Sequence, residues 1–182
     1  YAHMVRDVLA GGAPAFTPPF AAAQTVDQIG VVRPFIGHDP LIAVGAMAVV
    51  LAEDGRLLTI QRQDNKVWAL PAGFSNLGEN VAQTAVRETF EETGYKIAIE
   101  RLLGVYSGKD FQHTYANGDV VQNVGAVFKA RLVGGQPQPD LAEVAGLRWQ
   151  TAEAFLVGLP SNQWRRYFKL VVQHLDDGSF VC

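Results

Sequence analysis

Between Gly73 and Tyr95 the chain reads GFSNLGENVAQTAVRETFEETGY, and Glu88, Glu91 and Glu92 are crowded into two helical turns of it. Like charges at helical neighbour spacing cost a few tenths of a kcal/mol per pair. Such a cluster is either a solvated face or a site that holds something positive. With Glu88 set at zero on a helical wheel, Glu92 falls about 40° to one side and Glu91 about 60° to the other. The three carboxylates therefore share a sector of about 100°. That sector borders the apolar stripe of Ala82, Ala85, Val86, Thr89 and Phe90 instead of lying opposite it. Carboxylates in that position are partly buried and need partners. Three converging carboxylates suit a hard divalent cation, Mg²⁺ or Mn²⁺. Arg87, at i,i+4 from Glu91, is placed to hold that ligand in orientation. Glu79, just ahead of the helix, can turn inward from its loop.

These side chains need a helix with fixed ends. Asn80 is a good N-cap, and Gln83 three residues on approximates a capping box. Gly94 fits the left-handed position just past the C-terminus, so the spacing predicts a helix over about 81–93. Around it the pattern is mostly strand-like. Residues 41–52, LIAVGAMAVVLA, read as a buried strand. Glu53-Asp54-Gly55 reads as a hairpin turn, with residues 56–63 as the partner strand. A loop at 64–66, VWAL and Pro71 lead into the box. Residues 97–108 alternate as a strand. Residues 109–133 read as a hairpin turning at Ala116-Asn117-Gly118-Asp119, since Asn-Gly is a strong hairpin signal. A loop over 134–140 precedes a strand at 146–150 and a short helix, TAEAFL. Ser161 is the expected cap of a last helix through about Leu175, with Trp164, Phe168, Val171, Val172 and Leu175 on its core face. Residues 1–40 read as an N-terminal arm or linker, weakly helical over 21–33 and irregular between Pro34 and Pro40. Residues 41–182 form the domain. The order of elements indicates an α+β fold with a mixed sheet.

Composition narrows the partners. The chain has 182 residues, 48% of them hydrophobic and 18% charged, which is ordinary globular composition. A net charge of −3 gives no case for a nucleic-acid polymer as partner. The single cysteine, Cys182, excludes a disulfide framework within the chain and fits a reducing compartment. No signal-peptide pattern is seen, and the longest apolar run, residues 41–52, is shorter than the roughly 20 residues needed to span a bilayer. A cytoplasmic protein with no membrane partner is the expectation.

The pattern Gly73, Glu79, Arg87-Glu88, Glu91-Glu92, Gly94 resembles the Nudix box at seven fixed positions. The approach Trp68-Ala-Leu-Pro-Ala-Gly is also similar, with Ala72 where Gly is usual. Thr89 stands where Leu or Val is commoner. The resemblance implies an α/β/α sandwich over roughly residues 41–157. It also implies metal-dependent hydrolysis of a diphosphate linkage in a nucleotide or nucleoside diphosphate derivative, as in the bacterial MutT-like branch. On that basis Glu88, Glu91, Glu92 and the Ala72 carbonyl are expected to bind Mg²⁺ or Mn²⁺. The general base is Glu88 or a downstream acid, Glu143 or Asp140. Divalent ions and carboxylates suit this chemistry, which needs charge neutralised on phosphate oxygens, an aligned water and a proton acceptor.

Arg62 is the expected phosphate contact. Trp68, Phe74, Tyr106, Phe111 and Tyr115 are candidates to stack a base. His113 reads as a surface histidine, and the aromatics over 106–115 read equally as strand packing. The alternatives are an ADP-ribose or nucleotide-sugar pyrophosphatase, and a ligand-sensing domain that has lost turnover. All box acids are present, which favours the enzyme. An allylic diphosphate isomerase would need a second, internal cysteine. The proline-interrupted arm does not clearly give the N-terminal strands of a swapped ADP-ribose-type dimer, although it suggests a homodimer contact.

Overall fold

The computed structural model describes residues 27–115, 117–160, 163–176 and 180–181. The alternation-free apolar run of β1, Leu41–Leu51, is the central strand. Over residues 45–50 both of its faces are covered, which an unbroken apolar run suits, whereas Ile42 and Val44 nearer its start are exposed. Ala46, Ala48 and Val50 pack with Ala85, Val86 and Phe128 on one side. Met47 and Val49 pack with Phe155, Phe168 and Val171 on the other. On the first side lies helix α2, Val81–Thr93. On the second lie α3, Ala152–Gly158, and α4, Gln163–Gln173. This is the expected α/β/α sandwich.

The sheet is mixed. Strand β1 runs parallel to β7, Val120–Gly135, in unbroken register from Leu41↔Val121 to Leu51↔Arg131. Its other edge pairs antiparallel with β4, Ala72–Phe74, over Gly45↔Phe74 to Met47↔Ala72. Strand β5, Tyr95–Tyr106, runs antiparallel to β7 and parallel to β9, Phe180–Val181. A short 3₁₀ turn, Lys109–Phe111, leads into β6, Gln112–Thr114, which forms the expected hairpin with β7. Its turn is closed by Tyr115 N–H donating to Asp119 O at 2.9 Å and Gly118 N–H donating to Tyr115 O at 2.9 Å.

Four local expectations are corrected. The turn at 53–55 exists, closed by Ala52 N–H to Arg56 O at 2.9 Å. However, β2, Leu57–Arg62, meets β1 only at Leu51↔Leu57. Its partners are β3, Trp68–Ala69, and β8, Val144–Gln150, because β4 takes the edge of β1. The stretch after Pro34 is not wholly irregular: Pro34 lies inside helix α1, Gln28–Ile36, which ends at Gly37. The glycines 134 and 135 belong to β7 and pair with Lys96 and Tyr95. Phe90 is 38% exposed and does not join the apolar face of α2, because it stands at the stripe's outer margin. The expected cap Ser161 and most of the N-terminal arm lie outside the described residues. Among the described residues, no helix is long and apolar enough to cross a membrane.

Candidate active site

Helix α2 begins with a complete capping box. Asn80 Oδ1 accepts from Gln83 N–H at 3.0 Å, and Gln83 Oε1 accepts from Asn80 N–H at 2.9 Å. It ends at Gly94 with φ 76°, whose N–H donates to Phe90 O at 2.7 Å. The caps set where the helix starts and stops, and the packing of its buried face on the sheet sets its rotation. The buried arc of α2 includes Thr84, Ala85, Val86, Thr89, Glu92 and Thr93. A carboxylate thus lies inside the arc that faces the sheet.

Arg87 is the hub of the cluster. Its guanidinium donates to Glu79 Oε1 at 2.6 Å and Glu79 Oε2 at 2.9 Å, to Glu88 Oε1 and Glu91 Oε2 at 2.8 Å each, and to Phe74 O at 2.8 Å. A guanidinium with five donors in a fixed fork can make these five hydrogen bonds, whereas a lysine has three donors. Glu79 is held from its other side by Asn76 N–H at 2.9 Å and Thr84 Oγ1–H at 3.1 Å. The Glu88 side chain is 13% exposed and that of Glu91 is 52% exposed. Glu92 is buried, and its Oε2 accepts from Ala72 N–H at 2.9 Å.

Strand β4 supplies the wall opposite. Gly73 lies against the Glu88 carboxyl so closely that a Cβ there would collide with it. The glycine leaves room for the Glu88 carboxyl, which a side chain there would displace.

Electrostatics divides the acids. Burial pushes Glu88 up to about 7, with the charges of Glu91 and Glu143 adding and Arg87 opposing. Burial also raises Glu92 well above the usual carboxylate range, with Glu88 and Glu143 adding and the Ala72 N–H opposing. Burial works against the charge of Glu79 too, but Arg87, Asn76 and Thr84 outweigh it and hold this carboxyl below its ordinary value. For Arg87 the burial cost is outweighed by the hydrogen bonds and charges of Glu79, Glu88 and Glu91, which keep it protonated.

Glu143 is near enough for its charge to add to the raised proton affinity of Glu88 and Glu92. Register explains how: Val144 pairs with Arg62, and the Glu143 carbonyl accepts from Gln63 N–H at 2.7 Å. Arg62 is forked onto Asp64, Nε to Oδ1 at 3.1 Å and Nη2 to Oδ2 at 2.8 Å. It is close enough to Glu92 and to the Tyr115 phenol for each to raise its proton affinity.

The other expected contacts lie apart. Tyr106 and Phe111 are buried, ring against ring at 5.0 Å, and pack edge-on to Trp164 at 5.3 and 5.2 Å. The α4 helix covers the faces that a base would need. Trp68 carries the Arg148 guanidinium over its ring at 3.9 Å. Phe74 gives its carbonyl to Arg87, while its ring lines a cleft of about 260 Å³ with Ile29, Val32 and Ala43. His113 meets Tyr115 edge-on at 4.7 Å. Arg148 was not singled out by its sequence position; its place opposite Thr59 on β8 puts it on the same face as Trp68, but only the pairing of β2 with both strands reveals that.

Buried carboxylates of raised proton affinity, set against a backbone that a side chain would obstruct, make a chemically suitable bed for a hard divalent cation. In the present rotamers the set is not assembled: among the described residues no three acidic, His or Cys side chains form a metal-binding group. Arg87 draws Glu88 and Glu91, and the Ala72 N–H draws Glu92. Ala72 directs its amide at this acid, whereas a metal would require its carbonyl.

With this fold and this cluster, the chain belongs to the NUDIX domain family, whose model matches residues 41–171. It is 46% identical over 114 residues to a "MutT-like protein" of Streptomyces ambofaciens, covering 63% of this chain and 67% of that one. It is 36% identical over 100 residues to the "ADP-ribose pyrophosphatase" of Methanocaldococcus jannaschii, covering 53% of this chain and 54% of the relative. The chain thus spans between about half and two thirds of the length of these curated relatives. A crystal structure of a UDP-X diphosphatase superposes with a TM-score of 0.61 at 24% identity, covering 85% of this chain and 73% of that one, which shows the fold.

Proposed function

We propose that this protein hydrolyses a diphosphate linkage in a nucleotide or nucleoside diphosphate derivative, with Mg²⁺ or Mn²⁺ as cofactor. The observation that carries the reading is the Arg87-centred cluster of Glu79, Glu88 and Glu91 beside buried Glu92, on a helix capped at both ends. Glu88, Glu91 and Glu92 would hold the cation, with the Ala72 carbonyl as a further donor. A bound divalent ion supplies charge neutralisation on the phosphate oxygens and a more acidic water.

The rest falls to the chain's own groups. Arg87 keeps Glu88 and Glu91 on the side of the helix facing β4. Glu88 or Glu143 accepts the proton of the attacking water; Glu88 has the raised proton affinity for this task, and Glu143 is the exposed acid beside it. Arg62 binds a phosphate of the substrate, and Tyr115 contacts the portion beyond it. Tyr106 and Phe111 are left out of this set because their rings are packed beneath α4. The setting is the cytoplasm, in keeping with a chain that carries a single cysteine.

The test is a panel of nucleoside triphosphates, nucleotide sugars, ADP-ribose and dinucleoside polyphosphates, with products identified. Release of a nucleoside monophosphate from at least one member, dependent on Mg²⁺ or Mn²⁺, supports the reading. No turnover on the whole panel with either metal would overturn it. The products also separate a nucleoside triphosphate substrate from ADP-ribose or a nucleotide sugar.

A further inference from the structure

Helix α1 is a poor helix on its own terms. It contains Gly30 and Pro34, both unfavourable in a helix interior, and it buries none of its residues completely. Among the described residues its apolar contacts are limited to half-buried side chains such as Ile29 and Val32, and one polar side chain reaches beyond the helix. Arg33 Nη1 donates to the carbonyls of Gly37 at 3.0 Å and Asp39 at 2.9 Å, which close the end of its own helix. Its Nη2 donates to Val120 O at 3.2 Å, 87 residues away at the start of β7. Its Nε faces Asp119 Oδ1 at 3.4 Å, with the Arg33 side chain only 12% exposed. Next to it, His38 Nδ1 meets the same Asp119 oxygen at 2.8 Å.

Asp119 and Val120 are the return side of the β6–β7 hairpin. Asp119 O accepts from Tyr115 N–H, and Thr114 pairs with Val120. The hairpin's other side therefore carries His113 and Tyr115, whose rings meet edge-on at 4.7 Å. One largely buried guanidinium thus ties α1 to the hairpin that ends in Tyr115.

We propose that Arg33 is a positioning residue: it fastens α1 to the β6–β7 hairpin and thereby fixes Tyr115, the hairpin residue assigned above to the substrate beyond its phosphate. Residues 27–40 are then a working part of the pocket. The link to substrate rests on the reading under Proposed function; the fastening itself does not.

The test compares wild type with Arg33→Ala, Arg33→Lys and Asp119→Asn. Hydrogen exchange over residues 112–122 reads the fastening, and KM against kcat on the best substrate of the panel reads the positioning. Arg33→Ala is expected to speed exchange in the hairpin and to raise KM about fivefold or more, with kcat within about twofold, as for lost uniform binding. Arg33→Lys keeps the charge but not the fork, and should recover part of the loss. Asp119→Asn leaves the carbonyl contacts and should shift both readouts in the same direction by less; it serves if Arg33→Ala does not fold. A folded Arg33→Ala with unchanged hairpin exchange overturns the proposal. So does faster exchange with an unchanged KM. A wild type inactive on every substrate would sink the functional reading instead, and the exchange comparison alone would then decide whether Arg33 fastens the hairpin.

Discussion

Arg87 and Glu79 are joined by two hydrogen bonds, 2.6 Å from Nε and 2.9 Å from Nη2, between a loop carboxylate and the middle of helix α2. The same guanidinium still reaches Glu88 and Glu91. Glu79 thus sets the plane of Arg87, and Arg87 sets the acids. Two-pronged pairs of this kind are defined in direction as well as in energy. Glu79→Gln should therefore reduce kcat by about ten- to a hundredfold, the range for a lost orienting partner of a metal ligand. The helix itself should survive, because its capping box does not involve Glu79. Wild-type kinetics in Glu79→Gln would show that Glu79 only anchors the loop.

Glu79 also gives a pH prediction of definite sign. Its carboxyl is held below the ordinary value of 4.5, since Arg87, Asn76 and Thr84 outweigh its burial. The unfolded chain then binds more protons than the folded one below that pH. The stability it contributes is present above about 4.5 and lost as pH falls through the lower folded value. Acid unfolding followed by circular dichroism should set in at higher pH in Glu79→Gln, with a shallower dependence. An identical acid limb in both proteins would contradict the pairing.

Glu88 runs the opposite way. Burial raises its carboxyl to about 7, so the folded protein binds a proton that the unfolded chain releases near 4.5. Without metal, stability should fall as pH rises across that window, because the folded state has more protons to lose. Glu88→Gln removes this slope in part, leaving the share due to Glu92, which is raised by the same burial. The measurement is a series of thermal melts in chelator between pH 4.5 and 8, repeated with Mg²⁺. Mg²⁺ should stabilise wild type increasingly with pH, since metal and proton compete for the same oxygens. Equal slopes in wild type and Glu88→Gln would mean that Glu88 is ionised throughout.

Loss of the proposed ligands is the most direct check on the metal assignment. Glu91→Gln and Glu92→Gln should each lower turnover by about two orders of magnitude or more, with Mg²⁺ present and the fold retained. Glu91 is exposed, so its exchange for Gln should leave the melting temperature nearly unchanged. Glu92→Gln replaces a buried acid of high proton affinity with a neutral isostere, which the Ala72 N–H can still donate to. Activity should vanish in chelator and return with Mg²⁺ or Mn²⁺. Chelator-resistant hydrolysis, or full activity in both variants, would place the chemistry elsewhere.

The helix was legible in the sequence because everything that defines it is local. The caps Asn80, Gln83 and Gly94 and the spacing of Glu88, Glu91 and Glu92 lie within one short window, and a helix converts spacing into direction. The run of β1 indicated a buried strand, whereas the sandwich itself was implied by the resemblance carried by the box. What stayed hidden was set by distant chain. Alternation places Tyr106 on a face, but only α4 determines that Trp164 and Tyr167 close over it. The partner of β2 is β8, some 90 residues later, because β4 occupies the edge that a simple hairpin would have used. Arg148 on Trp68 and Arg33 on Val120 O are both contacts of this long-range kind.

Gly73 offers a test of geometry with little disturbance of the fold. Its φ is not among the positive values of the chain, so alanine suits the backbone there. What a Cβ would meet is the end of the Glu88 side chain, a flexible group, in a strand that already pairs with Ala46. Gly73→Ala should therefore move the carboxyl and leave the sheet in place. The expected stability cost is about 1–2 kcal/mol, within the range for one added methyl in a tight site. The expected loss of turnover is far larger, about a hundredfold, because a displacement of the order of 1 Å at a reacting group carries that penalty. Glu88→Gln in the Gly73→Ala background should then add little, since the two changes disturb one contact. Thermal melts and kinetics of the two single variants and the double variant measure this coupling. Additive losses in turnover would show that Gly73 and Glu88 act separately, and that the close approach of β4 to helix α2 serves packing alone.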